Sequence, residues 1–184
     1  MEVCSVIKNL NTFSNADGSN LSLQDIRENP SRKLLLISTA AGWSIASIEM
    51  LPALQALYAS SNADGLEVMV AIFEDANYSP ATPTFVDQWI AAFVLDFMAV
   101  ADTSNTLGDY YDSSSCPMNM LIDLETMTIL RINIGWDEQA ITAIINAMLG
   151  KGSAEGEGEG EGEGEGEGEG EGEGEGESGG EGEG

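Results

Sequence analysis

Apolar positions along this chain change their period several times, and each change predicts an element. Val6, Leu10 and Phe13 mark a loosely alternating strand over Val3 to Phe13, and Asn15-Ala16-Asp17-Gly18 follows with the residues of a tight turn. A short strand and a turn of helix around Leu21 to Ile26 complete an N-terminal hairpin. Leu34 to Ser38 is a continuous apolar run, too short for a helix, with charge before it and small residues after it, as befits a strand buried on both faces. From Ser44 the period changes: Ile45, Ile48, Leu51, Leu54, Leu57 and Tyr58 recur at three and four, which predicts an amphipathic helix ending near Ser60 and kinked at Pro52.

Asn62, Asp64 and Gly65 then turn the chain into a second apolar strand, Leu66 to Phe73. Thr84 to Phe93 carries helical spacing, with Thr84 as N-cap after Pro83. Strand, helix, strand, helix in this order implies right-handed crossovers and a parallel core. Phe97 to Ala101 is expected to add a strand and Asn105 to Tyr111 a short helix. Met118 to Ile122 and Thr128 to Ile134, around Asp123-Leu124-Glu125-Thr126, read as an antiparallel hairpin. Asp137 to Leu149 reads as a closing helix, capped by Asp137 and ended by Gly150.

Composition divides the chain. From Glu155 to Glu177 glutamate and glycine alternate without exception, and the alternation resumes at Glu181. Having nothing apolar to bury, residues 151–184 are expected to be a disordered low-complexity tail, and residues 1–150 the folded domain. The tail holds 14 of the 32 acidic residues, yet residues 1–150 still carry 18 acids against 5 bases, a net charge of −13. Lys8, Arg27, Arg32, Lys33 and Arg131 are too few and too scattered to grip phosphates, so nucleic acid is not an expected partner, and an anionic membrane surface is disfavoured for the same reason. No apolar window is long enough to span a bilayer, and MEVCSVIKNL lacks the layout of a signal peptide.

Chemistry is restricted by what is missing. The chain has no histidine, which removes mixed zinc sites and imidazole acid/base catalysis, and Cys4 and Cys116 make no metal spacing. No metal or cofactor is expected. Glu74, Asp75, Asp102, Asp109 and Asp112 lack the spacing of a calcium loop and are expected to be mostly solvated loop residues. Met118, Met120 and Met127 are expected to fill core, and Trp89 and Trp136 to be core or lid residues.

Three stretches carry a resemblance. VIKNLNTFSNADGSNLSLQDIR resembles the opening of redoxin-family proteins, LLLISTAAGWSIASIEMLPALQALY their active-site stretch, and CPMNMLIDLETMTILRINIGWDEQAITAIINAMLG their closing hairpin and helix beginning at a cis-proline. The group spans alkyl hydroperoxide reductase, thiol-specific antioxidant and TlpA-like thiol-disulfide proteins. It implies an α/β, thioredoxin-like fold: a central mixed β-sheet flanked by helices, with an N-terminal β-hairpin extension. The chemistry of such proteins depends on a low-pKa cysteine at a helix N-terminus. Here Trp43 matches the motif tryptophan, and the two cysteine positions of Trp-Cys-x-x-Cys fall on Ser44 and Ser47. The threonine that peroxide-reducing members place three residues before the cysteine is Ala41.

A serine hydroxyl supplies no thiolate and forms no disulfide, and no base is at hand to activate it, so capping the helix is the simpler account of Ser44. The resemblance implies that Cys116, before Pro117, lies opposite that helix start through a cis bond, as a lone redox-active thiol or merely a small, partly buried residue. Whether Cys4 pairs with it stays open. The leading expectation is a domain that has lost dithiol exchange and holds an extended peptide in the groove between Trp43 and the Cys116-Pro117 turn. The alternatives are a thiol-disulfide oxidoreductase or antioxidant protein, inactivated or using Cys116 alone, and a spacer-borne surface domain. The resemblance implies a periplasmic or secreted location.

Overall fold

The structure is a computed structural model that describes residues 5–151, and 113 there in backbone only. Cys4, its pairing and the Glu-Gly tail lie outside the described residues. One seven-stranded sheet organises the rest. In chain order its strands are β1 (Phe13–Ser14), β2 (Asn20–Leu21), β3 (Leu34–Ala41), β4 (Leu66–Glu74), β5 (Met98–Ala101), β6 (Met118–Asp123) and β7 (Thr128–Ile134). The helices are α1 (Leu23–Arg27), α2 (Ile45–Ser61), α3 (Pro83–Phe93) and α4 (Glu138–Leu149). Across the sheet the order is β2-β1-β5-β4-β3-β6-β7. β3, β4 and β5 run parallel, with α2 and α3 as their crossovers, and the remaining pairings are antiparallel.

β3 and β4 lack alternation because both their faces are covered. Leu34, Leu36 and Ala40 face one core, shared with Met50, Leu51 and Leu54 of α2, Val86 and Trp89 of α3, and Ile141 and Ile145 of α4. Leu35 and Ile37 face the other, filled by Leu23 and Ile26 of α1, Phe13, and the buried Met118, Met120 and Met127. The methionines therefore fill core as expected. Trp89 is buried, and Trp136 is half-buried against the first core.

Several local expectations are corrected. Of the described residues in the expected Val3–Phe13 strand, only Phe13 pairs in the sheet, with Ser14 beyond it, and Val6 makes a lone bridge to Thr128. The segment instead buries Ile7, Leu10 and Phe13 irregularly and leaves Val6 exposed. The cap of helix α3 lies two residues earlier than expected: Thr82, not Thr84, accepts from the Phe85 N–H at 3.2 Å, and Pro83 takes the first position, where its missing N–H costs nothing. Helix α2 ends at Ser61, one residue beyond the expected end, with Pro52 inside it. The short helix after β5 is a 3-10 turn over Thr106–Tyr110. It forms because Asp102, buried rather than solvated, accepts from the N–H groups of Thr106 (2.7 Å) and Leu107 (3.0 Å). Asp137 and Gly150 bound α4 as expected.

Parallel strands end at one pole. Ala41, Glu74 and Ala101 close β3, β4 and β5 there, and β6, antiparallel to β3, begins there at Met118. The segments 42–44, 75–82 and 102–117 therefore converge beyond the strand ends, where open α/β sheets place their sites.

Candidate functional site

Helix α2 begins at that pole. Ser44 is its N-cap, in extended conformation, with Oγ accepting from the Ser47 N–H at 3.2 Å. Ser47, fully buried, donates its hydroxyl proton to Ser44 Oγ at 2.9 Å. The Cys116-Pro117 bond is cis, and Cys116 Sγ lies 3.2 Å from Ser47 Oγ and 3.7 Å from the Thr39 carbonyl. Either atom can donate in the Ser47 contact, and the thiol can also donate to the Thr39 carbonyl. The three candidate residues Ser44, Ser47 and Cys116 are thus joined in one hydrogen-bonded chain.

Burial pushes the Cys116 thiol above its usual range, and hydrogen bonding, chiefly with Ser47, offsets only part of that. Iodoacetamide attacks thiolate, so alkylation of Cys116 at neutral pH is expected to be slower than for free cysteine. Its rate should keep rising above pH about 8.5, where a free thiol levels off. A pH series read by mass spectrometry checks this, and a plateau at or below pH about 8.5 would contradict it.

Thr39 seats the segment that carries Cys116. Ladder pairing of β3 with β6 begins at Ser38 and Asn119, leaving the Met118 N–H to the Thr39 side chain, whose Oγ1 accepts it at 2.9 Å. Thr39→Val keeps the shape and removes the acceptor. It is expected to cost about 1–3 kcal/mol, the usual cost of a buried unmatched donor, and to speed Cys116 alkylation. Urea denaturation followed by fluorescence measures the loss.

On the other side of Ser44 stands Trp43. Its indole N–H donates to Glu74 Oε2 at 2.7 Å, and its ring stacks on Tyr78 with centroids 5.3 Å apart and planes 18° apart. Phe73 meets it edge-on at 6.3 Å. Tyr78 projects from a turn in which Asp75 Oδ1 accepts from the N–H groups of Asn77 (2.7 Å) and Ser79 (3.0 Å), and it adopts a left-handed backbone with φ 62°. Tyr78 is 69% exposed, and Ile45 beside Ser44 is 70% exposed. Pro117 is buried. Tyr111, in the segment leading to Cys116, holds its hydroxyl among described residues without a hydrogen-bond partner, and burial pushes its pKa up to about 12. Burial is the largest cause; the Thr39 side chain offsets part of it, and the nearby Asp102 and Glu74 carboxylates add to it.

The sequence-predicted residues Trp43, Ser44, Ser47, Cys116 and Pro117 are thus together at one pole. Thr39, Tyr78 and Tyr111 were not anticipated. Asp75-Ala76-Asn77-Tyr78-Ser79-Pro80 does signal a turn, but nothing in the sequence says that the turn folds onto Trp43. Among the described residues no three Cys, Asp or Glu side chains converge to hold a metal. No described helix is long and apolar enough to cross a membrane.

Solved structures match this arrangement over most of the chain. A thiol:disulfide interchange protein from a Bacteroides species is 17% identical with a TM-score of 0.65, covering 85% of this chain and 95% of its own. The exposed lipoprotein thioredoxin of Streptococcus pneumoniae is 18% identical with a TM-score of 0.60, covering 76% and 99%. The thioredoxin domain of a thiol-disulfide oxidoreductase from Bacteroides vulgatus is 14% identical with a TM-score of 0.63, covering 79% and 99%. The fold is thioredoxin-like. The mixed seven-stranded sheet with flanking helices and the N-terminal hairpin accord with the architecture expected from sequence. No family model matches the chain, and no curated protein matches it.

Proposed function

We propose that this is a redoxin-type thioredoxin-fold domain that has lost dithiol exchange and works as a binding module, holding an extended peptide in the groove between Trp43 and the Cys116-Pro117 turn. The observation that carries the reading is the state of the helix start. Both positions aligned with the motif cysteines are serines, and their hydroxyls are spent on each other, on the Ser47 N–H and on Cys116. A site kept for exchange would present a sulfur there with a stabilised thiolate. What is retained is the surface around it: exposed Tyr78 and Ile45, and Trp43 fixed by Glu74.

An insulin-reduction assay tests the loss of chemistry. The unaltered chain is expected to show no turnover above that of the Cys116→Ser variant, and turnover that survives removal of Cys116 would sink the reading. Cys116 favours a second reading, a one-thiol protein forming mixed disulfides, because it is a free cysteine that is only partly buried. Its raised pKa argues against this at neutral pH. Incubation with oxidised glutathione, followed by intact mass, separates the two: a stable adduct at Cys116 supports the one-thiol protein.

A further inference from the structure

Charge is distributed unevenly along the sheet axis. Between Lys33 and Arg131 the sequence has not one Lys or Arg, and every segment that builds the groove lies within that run. Arg27, Arg32, Lys33 and Lys151 sit at the opposite pole, where β3 and β4 begin. There Arg32 pairs with Glu67 at 2.8 Å and Lys151 with Asp64 at 2.6 Å, while Arg27 donates to the Glu125 carbonyl at 2.9 Å. The segments that build the groove therefore supply acids and no base, Glu74 and Asp75 beside the aromatic pair, Glu49 one turn along α2 from Ile45, and Asp112 just before Cys116, while Arg131 of β7 is paired with Asp137 at 2.7 Å.

The aromatic pair adds a shape to that charge. One face of the Tyr78 ring lies on Trp43, and the residue as a whole is 69% exposed, which leaves the other face to solvent. Trp43 cannot swing away without breaking its bond to Glu74. An open aromatic face backed by a second ring and flanked by carboxylates is a surface for a planar cation.

The geometry points to a cationic extended segment as the occupant of the groove, with an arginine stacked on the open face of Tyr78 and its charge turned toward Glu74 and Asp75. This rests on the peptide-binding reading and adds the class of partner. Neutral segments would dock by the same groove more weakly, and acidic ones would be repelled, since like charges brought together across an interface select against the wrong partner.

Three short labelled peptides, identical except that two positions are arginine, glutamine or glutamate, test it by fluorescence anisotropy with the full chain. At about 0.05 M salt the arginine peptide is expected to bind roughly tenfold tighter than the glutamine peptide, and the glutamate peptide not measurably. At about 0.5 M salt the preference should shrink to within about twofold. Tyr78→Asn, which removes the ring and tolerates the left-handed backbone, should abolish the arginine preference.

Equal affinity for the arginine and glutamine peptides would overturn the charge inference while leaving the groove reading intact. An arginine preference unchanged by Tyr78→Asn would overturn it too, by assigning the attraction to the acidic Glu-Gly repeat. Binding of none of the three would sink both readings.

Discussion

Replacing Ser44 and Ser47 by cysteine, with Cys116→Ser to remove the competing sulfur, is expected to give a chain that reduces insulin and whose thiol at position 44 titrates near pH 7. The unaltered Ser44 already sits as an N-cap with its Oγ accepting the Ser47 N–H, at the start of a helix that runs unbroken to Ser61. A thiolate there would take over that hydrogen bond and face the positive end of the helix dipole. A hydrogen bond to a charged group contributes about 1.5–3 kcal/mol and a helix terminus about 0.3–1 kcal/mol. Each 1.36 kcal/mol is one pKa unit, so together they lower a thiol by about 1–3 units from about 8.5. Two effects oppose this: Ser44 is only 5% exposed, so desolvation favours the neutral thiol, and the Glu74 carboxylate lies nearby, bound to Trp43. The favourable terms win because they act at contact distance. Cys116 differs in this respect, since it is not part of the helix start and burial outweighs the hydrogen bonds it receives, so its pKa is raised. If the introduced thiol titrates at about 8.5 or above, the helix start no longer supports exchange chemistry. Leaving Cys116 in place is instructive in its own right: Ser47→Cys alone would put two sulfurs where an oxygen and a sulfur are now 3.2 Å apart, and disulfide formation there would block the site.

The parts of this protein that were legible from sequence are those whose signal is local. β3 and β4 are read from uninterrupted apolar runs, the capping of α2 and α4 from Ser44 and Asp137, and the closing hairpin from its turn residues. Resemblance supplied the long-range step, that residues 72 positions apart, Ser44 and Cys116, share one pole. Missing from both were partnerships decided only by packing. Asp102 reads as a surface acid until the chain after β5 turns back and offers it two backbone N–H groups. Val6 and Ile7 are equally apolar, and only the irregular path of the N-terminal segment decides that Ile7 is buried. Tyr78 reads as a turn residue, and its contact with Trp43 depends on how closely the 75–80 turn can approach the end of β3.

That approach is set by Gly42, and Gly42→Ala is expected to be the most damaging small change at this pole. A Cβ at position 42 would meet the Ala76 nitrogen at 2.6 Å, the Asp75 carbonyl carbon at 2.7 Å and the Phe85 ring at 2.7 Å. Two of these are backbone atoms, and that backbone is pinned. The Gly42 N–H donates to the Glu74 carbonyl at 2.9 Å, Asp75 N–H to the Ser79 carbonyl at 2.8 Å, and Glu74 bridges to Pro80. The methyl group therefore cannot be absorbed by a rotamer change; it must push the 75–80 turn off the end of β3 and carry Tyr78 away from Trp43. Overpacking of this kind costs about 1–3 kcal/mol, and with two backbone clashes the upper end is expected, lowering Tm by roughly 10 °C. Gly18→Ala is the control. Gly18 has φ +83° and nothing within 4 Å of a new Cβ, so its replacement costs only left-handed strain, about 1–2 kcal/mol. The two substitutions also differ in function: Gly42→Ala should reduce peptide affinity at the groove, whereas Gly18→Ala, in the N-terminal hairpin turn, should leave it unchanged. If calorimetry and anisotropy give the same losses for both glycines, the close approach of the turn to β3 is not what holds Tyr78 on Trp43.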